Sequence, residues 1–334
     1  MRVLIVYNPT AGQAGALEQE LTIAADAWRE RGWQVDMQPT ERSGDGTRIA
    51  REAAEAGYDI VAAAGGDGTI NEVVNGLANT HTALATLPLG TMNVWARELG
   101  LPLQPRAAAE ALGAGVIRPI DLGRADDRYF LLMAGVGFDA TITAQVQPEE
   151  KRRLGALAYV LRGFGLVGRM RGTKVQLVLD GRSISGRVLW VLVGNSQLYG
   201  GLMKITHRAS IDDGLLDVCV IRGENLWGAP WHILSILLRR YDLDPEIDYY
   251  RARKVEVRTR RALPVQVDGD TYGETPMRFE VVPGALRALM PPRVGDGLIQ
   301  SEALQPPTPR RSALRVAEWL RRRIPGLVSP SKRL

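Results

Sequence analysis

A single cysteine, Cys219, and three scattered histidines, His81, His207 and His232, are what this 334-residue chain has least of. One cysteine excludes an internal disulfide and a cysteine zinc site, and the histidines form no ligand cluster, so oxygen would have to hold any metal. No uninterrupted apolar run reaches membrane length, and the opening MRVLIVYNP reads as a buried strand rather than a signal peptide. The expectation is a cytosolic protein. Hydrophobic residues make up 45% of the chain, enough for two medium cores rather than one.

Net positive charge is also missing from most of the chain. The net charge is +5, but from position 305 onward eight Lys or Arg face one acid, Glu318, which leaves the body near −2. This excludes a generally basic nucleic-acid binder and points to a local basic appendage. Pro306, Pro307 and Pro309 form a stiff linker. Beyond it Leu314, Ala317, Leu320, Ile324 and Leu327 recur at helical spacing among arginines. That pattern suits peripheral contact with an anionic membrane surface, on the inner face of the membrane for a cytosolic protein.

The first 121 residues alternate strand-like and helix-like segments. Strands are expected at 3–7, 33–37, 58–64 and 83–88, with helices at 17–31, 46–56, 69–77, just after Thr91 and at 106–112. Such β-α repetition predicts a doubly wound, Rossmann-like parallel sheet. From 122 to 300 the texture is β-rich, with strands at 129–133, 174–179, 187–193, 215–221, 254–259, 264–267 and 277–282. A sandwich-like second domain follows, with the linker and tail at 301–334. Two apolar segments, 154–170 and 227–240, interrupt the strands and suit an acyl-chain entrance, ordinary core, or the interface of a homodimer.

The densest motif is GGDGTINEVVNGL at 65–77, directly after an apolar strand. Gly65, Gly66 and Gly68 let backbone N–H groups approach an anion, and Thr69 opens a helix whose free amides favour negative charge. Asp67 between them suits a phosphate that carries Mg²⁺. Taken alone, GGDG is an acidic turn of any α/β protein. Two further loops change the balance, NPTAG at 8–12 and LPLGTMN at 87–93, each at a strand end. Three such loops converge on one edge of a parallel sheet, where these folds bind ligands. By contrast, GVGFDA at 135–140 fits a dinucleotide fingerprint but lacks the acid needed about 20 residues on.

Together with Asp121-Leu122-Gly123, Asp212-Asp213-Gly214-Leu215-Leu216-Asp217 and Val267-Asp268-Gly269-Asp270, these motifs resemble the diacylglycerol kinase catalytic family, in its soluble bacterial lipid kinase form. The resemblance runs from Arg2 to about Pro292. It implies ATP in an inter-domain cleft, with Mg²⁺, and transfer of the γ-phosphoryl group to a lipid alcohol, foremost diacylglycerol. Nucleotide contacts would come from Asn8, Pro9, Thr10, Thr40, Gly65, Gly66, Gly68, Thr69, Glu72, Gly90, Thr91 and Asn93. In the family an Asp-Gly-Glu turn supplies the catalytic base; here Asp270 matches it, one methylene shorter, and Asp268 is the other candidate beside Asp67. Asp213, with carbonyls at Ser210 and Leu215, matches a cation site, with Asp121 close by. The family tends to carry an Asp after the Asn of the second glycine loop. This chain has Val94, so a carboxylate network would rest on Asp67, Asp121 and Asp213. Two rivals share the pattern: an NAD kinase-like enzyme, and a catalytically weak lipid-binding protein on the same fold.

Overall fold

A computed structural model describes residues 1–9, 17–137, 171–201, 203–224, 228–295 and 297–300. Thr10, the segment 154–170, the fingerprint beyond Gly137, Trp227 and the tail 301–334 lie outside the described residues.

The first half runs β1 (Arg2–Tyr7), α1 (Leu17–Arg29), β2 (Gln34–Pro39), α2 (Asp45–Glu55), β3 (Ile60–Gly65), α3 (Asp67–Leu77), β4 (Ala83–Pro88), α4 (Val94–Glu98) and α5 (Pro105–Gly113). Strands β4, β3, β1 and β2 lie side by side in parallel. Their burial is continuous where helices cover both faces, as expected for such a sheet. Leu17, Leu21, Ala24, Ala25 and Trp28 form the buried stripe of α1. Trp28 also donates its indole N–H to the Ala109 carbonyl of α5, 2.8 Å away.

The second half adds β5 (Val116–Ala125), β6 (Arg128–Phe130), β7 (Met133–Gly137), β8 (Thr173–Leu179), β9 (Arg182–Gly194), β10 (Leu198–Tyr199), β11 (Met203–Lys204) and β12 (Leu216–Arg222). After these come α6 (Ala229–Leu237), β13 (Ile247–Ala252), β14 (Lys254–Thr259), β15 (Pro264–Val267), β16 (Asp270–Glu274) and β17 (Met277–Met290). Side chains on β9 and β12 alternate between two cores. Val191, Val193, Val218 and Val220 enter a core made by the β-rich half alone, whereas Leu192, Cys219 and Ile221 join the larger one. With both faces buried, these strands read as apolar runs without a polar side.

The halves are one mixed sheet. β17 is long enough to pair antiparallel with β14 and β5 and then, at Arg287 and Ala288, parallel with β4. Position 121 falls inside β5, so the chain passes from one half to the other within a strand. β7 is antiparallel to both β9 and β15, a setting unlike the parallel strand that a dinucleotide fingerprint requires.

Candidate active site

Registers of the parallel strands put their C-terminal ends level. Tyr7 is opposite both Pro39 and Ala64, and Gly65 is opposite Pro88. Asn8, Thr40, the 65–69 turn and the 89–93 loop therefore share one edge. Asn8 N donates to the Ala64 carbonyl at 3.3 Å and Thr40 N to the Tyr7 carbonyl at 2.8 Å. Pro9, Gly68 and Thr91 are exposed there, with Gly66 and Thr69 partly so.

The two glycine loops touch through their backbones. A Cβ on Gly90 would lie 2.5 Å from the Gly66 Cα, closer than any real contact allows, so the second loop tolerates no side chain at that crossing, whereas a Cβ on Gly66 would meet the Gly90 Cα at an ordinary 3.5 Å. Asn93 clamps its own loop: Oδ1 accepts from Gly90 N at 2.8 Å and Nδ2 donates to the Gly90 carbonyl at 2.7 Å. Asp67 stands in the first turn of α3, two residues earlier than the expected helix start, and its Oδ1 accepts from Val94 N at 2.8 Å. It thus fixes the N-terminus of α4 and joins one loop to the other.

The long motif divides by task along α3. Glu72 places Oε1 on Gly44 N at 2.8 Å and Oε2 on Gly46 N at 2.9 Å, capping α2. Its carboxylate thereby holds the start of α2. Gly76 lets α2 pack closely, since a Cβ there would stand 2.4 Å from the Thr47 carbonyl oxygen. Asn75 exchanges hydrogen bonds with the Tyr129 backbone in both directions, each at 3.0 Å. In effect α3 docks on the edge of β6.

Asn71 carries the connection into the other half. Its Nδ2 donates to Asp268 Oδ2 at 2.8 Å, and its Oδ1 accepts from Arg128 Nη2 at 2.8 Å. Arg128 in turn reaches Asp270 Oδ2 at 3.2 Å. Asn71 is four residues from Asp67, one helical turn and about 6 Å along the axis, on the same side of α3. The 268–270 turn therefore lies within about a turn of the glycine loop. Neither Asn71 nor Arg128 stood out as a site residue in the sequence; only the unbroken TIN of the motif hinted at the first.

Asp268 and Asp270 have opposite surroundings. Asp268 is buried, and besides Asn71 its oxygens accept from Leu131 N, Leu132 N and Met133 N at 2.8 to 2.9 Å. All its acceptor capacity is spent inside the protein, and burial pushes its pKa up to about 6 against those donors. Asp270 has a side chain 42% exposed at the mouth of the cleft. Of the pair, only Asp270 has room to reach a substrate hydroxyl.

Asp121 and Asp213 meet at the 212–215 loop. Asp121 accepts from Gly214 N at 2.7 Å and from Gly284 N at 2.8 Å, and Asp213 from Leu215 N at 3.0 Å and from the Arg251 guanidinium. Burial raises both pKa values. Ser210 donates its hydroxyl to Asp212 Oδ1 at 2.7 Å. Among the described residues no group of three or more Asp, Glu, His or Cys side chains is placed to hold a metal ion. With Arg251 already neutralising Asp213, this donor set does not fit a dedicated cation centre. Asp67, for its part, engages the start of α4.

A doubly wound half whose glycine loops face a carboxylate hairpin of a β-rich half defines a two-domain phosphoryl-transfer fold. Residues 2–125 match the diacylglycerol kinase catalytic domain, and residues 133–290 match the YegS C-terminal NAD kinase beta sandwich-like domain. A Bacillus subtilis diacylglycerol kinase is 34% identical over 294 residues, covering 87% of this chain and 96% of the relative. A probable YegS-like lipid kinase of Pseudomonas putida is 35% identical over 280 residues, 83% of this chain and 92% of that one. The crystal structure of a putative diacylglycerol kinase from Bacillus anthracis superposes with a TM-score of 0.76 at 29% identity, covering 88% of this chain and 96% of the other. The chain belongs to the diacylglycerol kinase family of lipid kinases, and is a phosphotransferase.

Proposed function

We propose that the protein transfers the γ-phosphoryl group of ATP to the hydroxyl of a lipid alcohol, diacylglycerol first among them. One observation carries this reading: Asn71, on the helix that opens with the glycine turn, is bonded to Asp268 and, through Arg128, to Asp270. Two stretches about 200 positions apart are thereby built into one cleft.

In this reading the backbone amides of Gly66, Gly68 and Thr69 receive the nucleotide phosphates, with Asn8, Thr40, Gly90 and Thr91 around them. Magnesium arrives on the nucleotide as part of the substrate, close to Asp67. Asp270 accepts the proton as the lipid O–H breaks, the lipid oxygen bonds to the γ-phosphorus, and the β–γ bridging P–O bond breaks to release ADP. Asp268 and Asn71 act as positioning residues that hold the turn. The protein's contribution is chiefly placement and charge.

The test offers γ-labelled ATP with mixed micelles of diacylglycerol, a long-chain base, phosphatidylglycerol or a polyprenol, and separately with NAD. Label in the lipid fraction, greatest for diacylglycerol, is the expected result. Label in NAD alone would replace the proposal with the NAD kinase-like reading.

A further inference from the structure

Nine large hydrophobic side chains are exposed among the described residues, and five of them, Trp231, Leu234, Leu237, Leu238 and Leu243, fall within one short stretch on and just after α6. Trp231 is 49% exposed, and Leu237 and Leu238 are 59% and 57% exposed. The opposite side of the helix is pinned to the protein. His232, Ser235 and Ile236 are buried, and His232 Nδ1 lies 2.7 Å from Asp244 Oδ2. The apolar face is therefore held outward by its own anchored underside.

Its rim is cationic. Residues 228–240 contain no acid, and Arg239 and Arg240 at the helix end are exposed, as is Arg208. Both Arg208 and Arg239 lie close enough to His207 to depress its pKa, after burial, which places the two arginines around the same spot. An indole and leucines with three guanidinium groups toward the C-terminal end of the helix, against one exposed acid, Glu246, beside His232, match a bilayer interface with anionic headgroups. They do not match the chain's own tail, whose eight Lys or Arg against Glu318 would meet like charge. A second copy paired face to face would bring the same arginines together.

The position also suits the chemistry. α6 packs on β11, which pairs with β10, and β10 contacts α4. Glu98 of α4 accepts from Gln197 N at 2.6 Å, and a Cβ on Gly201, in the hairpin turn, would come 3.5 Å from the Met92 carbonyl of the second glycine loop. One hairpin thus separates the apolar face from the phosphate edge.

We propose that the exposed face of α6 with Leu243 and its arginine rim is a docking surface for an anionic phospholipid bilayer. The lipid-kinase reading supplies the reason a bilayer would be sought, but the surface is tested without it. Full-length protein is sedimented with vesicles of phosphatidylcholine alone or mixed with phosphatidylglycerol, containing neither ATP nor diacylglycerol, so binding is read whether or not the kinase reading holds. Leu234→Glu with Leu238→Glu is expected to weaken binding to the mixed vesicles about tenfold or more. Arg208→Gln with Arg239→Gln is expected to lower binding to mixed vesicles about tenfold and to leave the weaker binding to phosphatidylcholine alone as it was. Brominated phospholipid should quench tryptophan fluorescence of a Trp319→Phe background, in which the tail carries no indole, and adding Trp231→Phe should remove most of that quenching; these conservative exchanges guard against loss of binding through misfolding. Undiminished vesicle binding in the leucine variant, or quenching that survives Trp231→Phe in that background, overturns the proposal. A wild-type dimer that the leucine variant converts to monomer in sedimentation equilibrium also overturns it, and assigns the face to a second copy.

Discussion

The two walls of the cleft are made by different means. The α/β wall presents main chain: glycines that cross at 66 and 90, amides at the start of α3, and one carboxylate that stitches two loops together. The β-rich wall presents side chains, and two aspartates two residues apart are divided by burial into a buried tie and an exposed acid. A main-chain site depends on shape and fails when a side chain intrudes. A carboxylate site depends on solvation and fails when charge or partner is removed.

A large effect is expected on the first wall. Asp67→Asn keeps an oxygen for Val94 N but removes the charge, and lipid phosphorylation should drop about 10³-fold, with Tm nearly unchanged. Asp67→Ala should lose the same activity and about 1 kcal/mol of stability besides, from the lost cap. Steady-state kinetics beside thermal melts separate the two. On the second wall, Asp268→Asn leaves buried N–H groups unpaired and should destabilise by about 2–4 kcal/mol in urea unfolding. A stability loss below the range for one buried hydrogen bond would remove Asp268 from its role as a tie.

Smaller effects sharpen the contrast. Gly90→Ala forces the loops apart at Gly66, and should raise the KM for ATP about tenfold while costing about 1–3 kcal/mol. An unchanged KM would mean that the crossing does not shape the nucleotide site. Asp217, on the far side of the 212–217 segment, is fully buried, with neither oxygen hydrogen-bonded and Arg251 Nε 3.5 Å away. Burial pushes its pKa up to about 6 from 3.8. The native state then holds a proton that the unfolded chain has lost, so stability should fall as pH rises from about 4 to about 6, by at most about 3 kcal/mol. Asp268 contributes a slope of the same sign. Urea titrations across this range should give a shallower fall for Asp217→Asn than for the wild type, and equal slopes would contradict the assignment.

Much of the first wall was legible in the sequence because main-chain recognition leaves short, composition-restricted signatures. GGDG and PLGTMN each mark a strand end, and the helix stripe Leu17, Leu21, Ala24, Ala25 and Trp28 is buried as its spacing indicates. The rest of the long motif was harder to divide. Glu72 and Gly76 serve α2, Asn75 serves β6 and Asn71 serves the hairpin, and nothing in their spacing distinguishes these tasks. β5, β10, β11, β13 and β16 escaped notice, and β17 is far longer than its apolar core at 277–282 indicates. Apart from the short β10–β11 pair, their polar and glycine-bearing stretches are stabilised by pairing with distant strands, which local pattern does not encode. The division between Asp268 and Asp270 was equally hidden, since burial is a property of the assembled hairpin.

The central claim is that Asn71 and Arg128 bring Asp270, not Asp268, to the phosphate edge. It is tested most directly by comparing transfer of label from γ-labelled ATP to diacylglycerol in mixed micelles for wild type and Asp270→Asn, at a temperature where both are folded. Labelled phosphatidic acid is expected from the wild type and a loss of about 10²–10⁴-fold in kcat for the variant, with the unfolding free energy lower by no more than about 1 kcal/mol, as for an exposed ion pair. Turnover by Asp270→Asn equal to that of the wild type would contradict it.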